Sequence, residues 1–114
     1  MKICVTSQGN TLGSDVDARF GRCKYFIFVD TDTLEFEAVS NSNIDVSSGA
    51  GTQAGQTVAD KDVKAVLSGD IGPKAFRVLQ SAGIDIYIGI DGKVKDAVEN
   101  FKQGKYKPKG TAGI

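Results

Sequence analysis

The spacing of apolar residues predicts three strands in the first part of the chain. Residues 2–7 have the pattern of a short strand, and residues 24–30 are apolar on both faces, as in a central strand. Apolar and acidic residues alternate over residues 34–38, which predicts a strand with one solvent-exposed face. The short polar connection at residues 31–33 predicts that the last two strands form a hairpin.

Helices and strands alternate in the second part of the chain. A weakly apolar helix is predicted to begin near Thr52, which suits an N-cap, and a helix opened by Pro73 follows a strand at residues 64–68. A strand at residues 84–88 and a helix at residues 93–103 complete the domain. The side chains predicted to face inward are Ala54, Val58 and Ala59, then Phe76, Leu79 and Ala82, and finally Val94, Ala97, Val98 and Phe101. The order β-β-β-α-β-α-β-α predicts an α/β fold with helices packed on a mixed sheet.

The connections between these elements are predicted to meet at one edge of the sheet. Alternation of chain direction brings four of them to the same edge, at residues 8–21, 40–52, 69–73 and 89–92. This edge is the carboxyl end of the parallel strands, where open α/β sheets bind ligands. All three helices are predicted to begin there, and helix N-termini carry unpaired N–H groups and partial positive charge. Arg19, Arg22 and Lys74 lie in or next to these connections in the sequence. Because they add positive charge there, we expect an anionic ligand.

Composition excludes several classes of function. The 114 residues suffice for one domain, and 14 basic and 14 acidic side chains give a net charge of zero, which disfavours nucleic acid as a partner. There is no histidine, so the usual general base is missing and we expect no enzyme activity. No apolar run approaches the roughly 20 residues of a membrane span, and no signal-peptide pattern is visible. We therefore expect a cytoplasmic protein that does not bind membranes.

Three stretches of the sequence stand out together: FGRCKYFIFVD, SSGAGTQAGQTVADKDVKAVLSGDIGPKAFRVLQSAGIDIYIG and KDAVENFKQGK. They resemble the dinitrogenase iron-molybdenum cofactor family, which comprises small nitrogenase accessory proteins and their relatives. The resemblance covers residues 1–105 and implies a single ribonuclease H-like domain with a three-layer mixed sheet, leaving residues 106–114 as a flexible tail. It implies that the chain binds or carries an iron-sulfur or iron-molybdenum cluster, or a precursor. The implied partners are proteins that donate or accept the cluster. Whether the chain also forms a homodimer stays an open question.

The stretch DARFGRC supplies the first candidate site residues. We interpret Arg19 and Arg22 as anion contacts, Phe20 as an anchor against the core, and Gly21 as the turn. Members of the family often have His-Phe-Gly where this chain has Arg19-Phe20-Gly21. An arginine cannot coordinate a metal, because its guanidinium stays protonated, but it can pair with an anionic cluster.

Cys23 is the candidate metal ligand. Arg22 and Lys24 are its neighbours in sequence, and nearby positive charge lowers the pKa of a thiol and favours the thiolate. The alternative is a half-buried structural cysteine, and we interpret Cys4 as a core residue. One thiolate cannot complete a four-ligand iron-sulfur site. Any cluster would therefore be held transiently, carry other ligands or be shared between two chains.

The glycine-rich segment GAGTQAG and the turn before Pro73 supply the remaining candidates. The glycine spacing of GAGTQAG only loosely matches a phosphate-binding loop, so the alternative is a flexible connector. In the turn before Pro73, we interpret Asp70 as a helix cap. The cofactor-binding candidates in this part of the chain are Ser48, Gly49, Gly51, Thr52 and Gly72.

Two functions of other classes compete with cluster binding. A metal-dependent nuclease needs clustered carboxylates on central strands, and residues 2–6 contain none. A regulatory or interaction module that binds a small anion or a nucleotide phosphate stays open.

Overall fold

A five-stranded mixed sheet with helices on both faces forms the centre of the computed structural model, which describes residues 1–42 and 49–109. The mixed α/β class expected from the sequence is thereby confirmed. The elements are β1 (Lys2–Ser7), β2 (Tyr25–Asp30), β3 (Phe36–Ser40), α1 (Ala50–Ala59), β4 (Ala65–Leu67), α2 (Pro73–Ser81), β5 (Asp85–Tyr87) and α3 (Val94–Lys102). The spatial order of the strands is β3-β2-β1-β4-β5.

Strand β1 lies at the centre of the sheet and is buried on both faces. It pairs antiparallel with β2 and parallel with β4, so both kinds of ladder meet on one strand. Its side chains alternate between the faces, with Ile3 and Val5 on one and Cys4 on the other, and all three are fully buried. The prediction that Cys4 is a core residue is confirmed.

The two faces of the sheet carry different helices. Helices α1 and α2 cover the face that includes Phe26 and Phe28, whereas α3 covers the face that includes Ile27 and Val29. Because successive residues of a strand point to opposite faces, an uninterrupted apolar strand such as β2 serves both layers. The continuous apolar pattern of β2 thus reflects burial from both sides.

Two predictions about the helices are wrong in detail. Helix α1 begins at Ala50, because Gly49 takes a left-handed conformation (φ 78°) at the N-cap, and Thr52 therefore lies inside the first turn. Ala82 does not face inward, because α2 ends at Ser81 and the chain turns away, leaving Ala82 exposed. The buried positions of α2 are Ala75 and Leu79, with Phe76 packed beside them.

The segment after α3 contacts the domain as far as it is described. Tyr106 packs against the buried cluster on the α3 face of the sheet, and its hydroxyl accepts a hydrogen bond from the Asn100 amide at 3.3 Å. The backbone N–H of Lys109 donates to the carbonyl of Ile86 in β5 at 2.6 Å. Residues 106–109 of the expected flexible tail therefore lie against the fold, and residues 110–114 fall outside the described part.

The loop between β1 and β2 passes very close to the end of β4. A methyl group added at Gly69 would lie 2.5 Å from the Cα atom of Ala18, closer than real Cβ contacts, whereas one at Gly13 would meet nothing nearer than 3.8 Å. Two backbones approach closely here because Gly69 has no side chain.

We predict that Gly69→Ala lowers the free energy of unfolding by about 1–3 kcal/mol, because the added methyl group must displace backbone atoms. Urea unfolding followed by circular dichroism measures the change. Gly13→Ala is the matched control and is expected to alter stability by less than about 0.5 kcal/mol. Equal effects of the two substitutions would contradict the close approach.

Candidate functional site

Three segments meet at the carboxyl end of β1 and β4. We call them the rim: residues 17–22, residues 49–52 and residues 69–75. The N–H of Phe20 donates to the carbonyl of Asp70 at 3.1 Å, which joins the first segment to the third. A methyl group at Gly21 would lie 3.1 Å from the nitrogen of Gly51, and one at Gly51 would lie 3.5 Å from the Cβ of Ala75. The edge predicted from chain direction therefore exists.

Buried hydroxyl groups attach the rim to the strands. The Thr6 hydroxyl at the end of β1 donates to the carbonyl of Asp17 at 2.8 Å and lies 2.9 Å from the Ser68 hydroxyl. Both hydroxyl-bearing residues are fully buried. A hydrogen bond in such a place is costly to lose, because its partner would be left unsatisfied without water. Sequence analysis missed these two residues, and their only signal was a polar residue at the end of an apolar strand.

The first turns of α1 and α2 lie at the rim. The N-cap residues are Gly49 and Gly72, and neither makes a side-chain capping bond. The N–H groups of a first helical turn have no partner within their own helix. Since Gly51 and Ala75 lie side by side, the two helix starts combine their partial positive charge.

Helix α3 does not contribute such groups, contrary to the expectation from the sequence. The N–H groups of Val94 and Lys95 donate to the carbonyls of Ser14 and Leu12, each at 2.9 Å. The Lys93 ammonium also pairs with the Asp15 carboxylate at 2.9 Å. The loop between β1 and β2 therefore caps α3, so the first turn of α3 is not open to a ligand at the rim.

Arg19 brings an exposed positive charge to the rim. Its side chain is 65% exposed, and its Nε atom lies 3.8 Å from a carboxylate oxygen of Asp17, whose side chain is only 6% exposed. The same oxygen accepts the backbone N–H of Arg19 at 3.0 Å. The buried carboxylate thus orients the backbone, while the guanidinium remains accessible to a ligand. Arg22 is half-buried in the same segment.

Phe20 and Asn41 hold the turn at Gly21 in place. The Phe20 ring is buried and packs 5.7 Å from the ring of Phe26, measured between centroids. The buried Asn41 amide donates to the carbonyls of Gly21 and Cys23, at 3.2 and 2.9 Å. Sequence analysis did not single out Asn41, because nothing in its neighbourhood marks a side chain that reaches back to an earlier loop.

The expectation that Cys23 has a lowered pKa is wrong. The residue is 0% exposed, and burial, followed by the charge of Asp17, raises the pKa of its thiol to about 12. Burial also raises the pKa of Cys4. Sequence neighbours such as Arg22 and Lys24 do not determine the electrostatics of a side chain that points into the core. At neutral pH both thiols therefore keep their protons.

The described residues do not fit a thiolate-ligated cluster. Within residues 1–42 and 49–109, no three Cys, Asp or Glu side chains are grouped so that they could hold a metal ion. A resident iron-sulfur cluster needs several thiolates, and the two thiols here are buried and protonated. Any cluster at the rim would have to be cargo that brings its own ligands.

The remaining candidates have mixed outcomes. Asp70 is not a helix cap as expected, because its carboxylate accepts the N–H of Ile71 at 3.0 Å, before α2 begins. Ser48 lies outside the described residues, whereas Gly49, Gly51, Thr52 and Gly72 lie on the rim. Their role in binding stays a prediction. None of the described helices is both long and apolar enough to cross a membrane.

Comparisons with known proteins identify similar chains. The sequence model of the family described as dinitrogenase iron-molybdenum cofactor matches residues 1–104. An uncharacterized protein of Methanocaldococcus jannaschii is 31% identical over 108 residues, which are 92% of this chain and 88% of that protein. The apo form of the orange protein from Desulfovibrio gigas is 37% identical with a TM-score of 0.92, covering 99% of this chain and 96% of that one. A Thermotoga protein of the DUF35 family is 31% identical with a TM-score of 0.82, covering 99% and 97%.

We predict that Cys4 and Cys23 react slowly with a thiol reagent in the folded protein at neutral pH and rapidly in denaturant. Folding raises the pKa of Cys23 from an ordinary value of 9.0 to about 12. The contribution of the protonated Cys23 thiol to stability is therefore complete below pH 9.0 and is lost as the pH rises from 9.0 toward about 12. Titration with Ellman's reagent and urea unfolding on both sides of pH 9.0 measure these effects.

Thr11→Cys supplies the control, because this exposed position should react in the folded state. Fast reaction of Cys23 at the same rate as this control would overturn the assignment of a buried, protonated thiol.

Proposed function

The chain belongs to the dinitrogenase iron-molybdenum cofactor family, and we propose that it binds and carries an anionic metallocluster or its precursor at the rim. The observation that carries the proposal is the close approach of the first turns of α1 and α2, at Gly51 and Ala75, beside the accessible guanidinium of Arg19. The cluster is cargo, iron-sulfur or iron-molybdenum in type, and the chain is not an enzyme.

The physical basis of binding is charge and hydrogen bonding rather than coordination by the protein. Backbone N–H groups at helix N-termini bind anions, and a guanidinium adds a charge-assisted hydrogen bond. Metal-sulfur clusters with sulfide or thiolate ligands carry negative charge, and their sulfur atoms accept hydrogen bonds. Because Cys23 is buried and protonated, the cluster keeps its own ligands and can be released intact.

Similar proteins support this assignment. The orange protein of Desulfovibrio gigas, 37% identical, is described in an apo form, a term for a protein without its bound group. The family takes its name from the iron-molybdenum cofactor. In line with the family, we assign the fold to the ribonuclease H-like class, place the protein in the cytoplasm, and take proteins that donate or accept clusters as its partners.

A regulatory module for a small anion or a nucleotide phosphate is the second candidate. The same observation favours it, because unpaired N–H groups at a helix start bind phosphate as readily as other anions. The pairing of α1 and α2 at Gly51 and Ala75 does not by itself select sulfur over oxygen ligands. Direct comparison of probes separates the two candidates.

We predict that Arg19→Ala weakens binding of an anionic probe at least about tenfold at low salt, since a hydrogen bond to a charged group contributes roughly 1.5–3 kcal/mol. Arg19→Lys should retain part of the affinity, because it keeps the charge but loses the planar donor group. The probes are tetrathiomolybdate, a thiolate-capped [4Fe–4S] cluster and ATP, measured by visible absorption and calorimetry under anaerobic conditions.

Arg77→Ala is the matched control, because Arg77 is an exposed arginine of α2 outside the rim. Equal loss of affinity in Arg19→Ala and Arg77→Ala would show that binding does not occur at the rim. Binding of ATP without binding of either metal-sulfur probe would establish the second candidate instead.

A further inference from the structure

The two edge strands of the sheet differ in how they are protected. Strand β5 has three residues, and the N–H of Lys109 donates to the Ile86 carbonyl on its outer side at 2.6 Å. The segment that supplies this bond is rich in lysine and contains Pro108, features that discourage strand pairing. Strand β3 has five residues, and nothing among residues 1–42 and 49–109 pairs with its outer side.

The backbone groups on the outer side of β3 follow from the ladder with β2. The N–H of Asp30 donates to the Glu35 carbonyl at 2.9 Å, and the N–H of Asn41 donates to the Lys24 carbonyl at 3.0 Å. Residues alternate along an antiparallel ladder, so the odd-numbered residues 35–41 bond to β2. The N–H and C=O groups of Phe36, Ala38 and Ser40 therefore point away from the sheet.

Exposed apolar side chains accompany this open edge. Phe36 is 44% exposed, and Leu34, two residues before the strand begins, is 47% exposed. Both belong to the small set of large apolar residues that are exposed in the described structure, which also includes Met1. A flat edge with exposed apolar residues is a template for pairing with another chain.

We propose that β3 pairs antiparallel with β3 of a second copy, with Ala38 on the two-fold axis, to form a ten-stranded sheet. In this register Ala38 faces Ala38 of the partner subunit, and Phe36 faces the partner's Ser40. The outward N–H and C=O groups of Phe36, Ala38 and Ser40 then form hydrogen bonds with the same groups of the second copy. A large ring thus lies opposite a small side chain on either side of the axis, so the edge is complementary to itself.

The charges at this edge favour a second copy over a basic peptide. Glu37 is paired with Lys61 at 2.9 Å, and the N-terminal ammonium lies 3.4 Å from Asp32 and 3.9 Å from Asp30. Lys2 lines the same surface cavity as Asp30, Glu35 and Glu37, so four carboxylates at this edge lie near three cations and leave only a small acidic excess. In the proposed register Glu37 faces Val39, so the glutamates of the two copies are not directly opposite each other.

The interface is small, because each copy contributes one strand of five residues. Stable interfaces bury about 1,200–2,000 Å² in total, so we expect a dimer that depends on protein concentration. The antiparallel arrangement directs the two rims to opposite ends of the joined sheet, and each rim can therefore bind its ligand independently.

Engineered cysteines test the register. Ala38→Cys should form a disulfide-linked dimer under mild oxidation, because facing residues of a hydrogen-bonded pair have Cα atoms about 5.5 Å apart, within the range of a disulfide. Ser40→Cys alone should not, because it faces Phe36, whereas a mixture of Phe36→Cys and Ser40→Cys chains should cross-link. Native Cys4 and Cys23 are buried and do not compete. Equal cross-linking of Ala38→Cys and Ser40→Cys would overturn the register.

Sedimentation equilibrium over a range of protein concentrations tests the association itself. The wild-type mass should rise toward twice the chain mass, and Ala38→Lys should shift the transition to at least about tenfold higher concentration through repulsion at the axis. Gln80→Lys, an exposed position on α2, adds the same charge and should behave as wild type. A wild-type chain that stays monomeric throughout, or equal effects of both lysines, would overturn the proposal.

Discussion

The close approach of backbones at glycine residues is the constraint on which the rim depends. Gly69 contacts Ala18, Gly21 contacts Gly51, and Gly51 contacts Ala75, each without an intervening side chain on the glycine. These contacts bring the starts of α1 and α2 against the loop that carries Arg19. Glycine costs conformational entropy on folding, and the burial of Phe20 and the hydrogen bond from Thr6 offset that cost.

The loop between β1 and β2 determines which chemistry is available at the rim. It caps α3 with the carbonyls of Ser14 and Leu12, and its last residues carry Cys23 into the core. With that helix start capped and that thiol buried, the rim retains the starts of α1 and α2 and the side chains of Arg19, Arg22 and Lys74. Such a set binds anions through charge and hydrogen bonds, which is compatible with cargo that must be taken up and released.

The rim and the edge of β3 are separate surfaces because they use different boundaries of the same sheet. The rim lies where β1 and β4 end, whereas β3 is the lateral boundary on the side of the antiparallel strands. The opposite lateral boundary, at β5, is partly occupied by the chain itself through Lys109. The proposed association of two copies therefore leaves the proposed anion site of each copy accessible.

The strands, the helices and the edge at which their connections meet could be predicted from the residue pattern alone, because apolar periodicity and chain direction are local properties. It also indicated an anionic ligand through Arg19 and the glycine-rich turns. The folded arrangement was needed to show that Cys23 is buried and protonated, that the loop between β1 and β2 caps α3, and that Thr6 and Asn41 hold this loop. Burial and hydrogen bonding join residues far apart in sequence, such as Asp17 with Cys23, and these contacts leave no pattern among neighbouring residues.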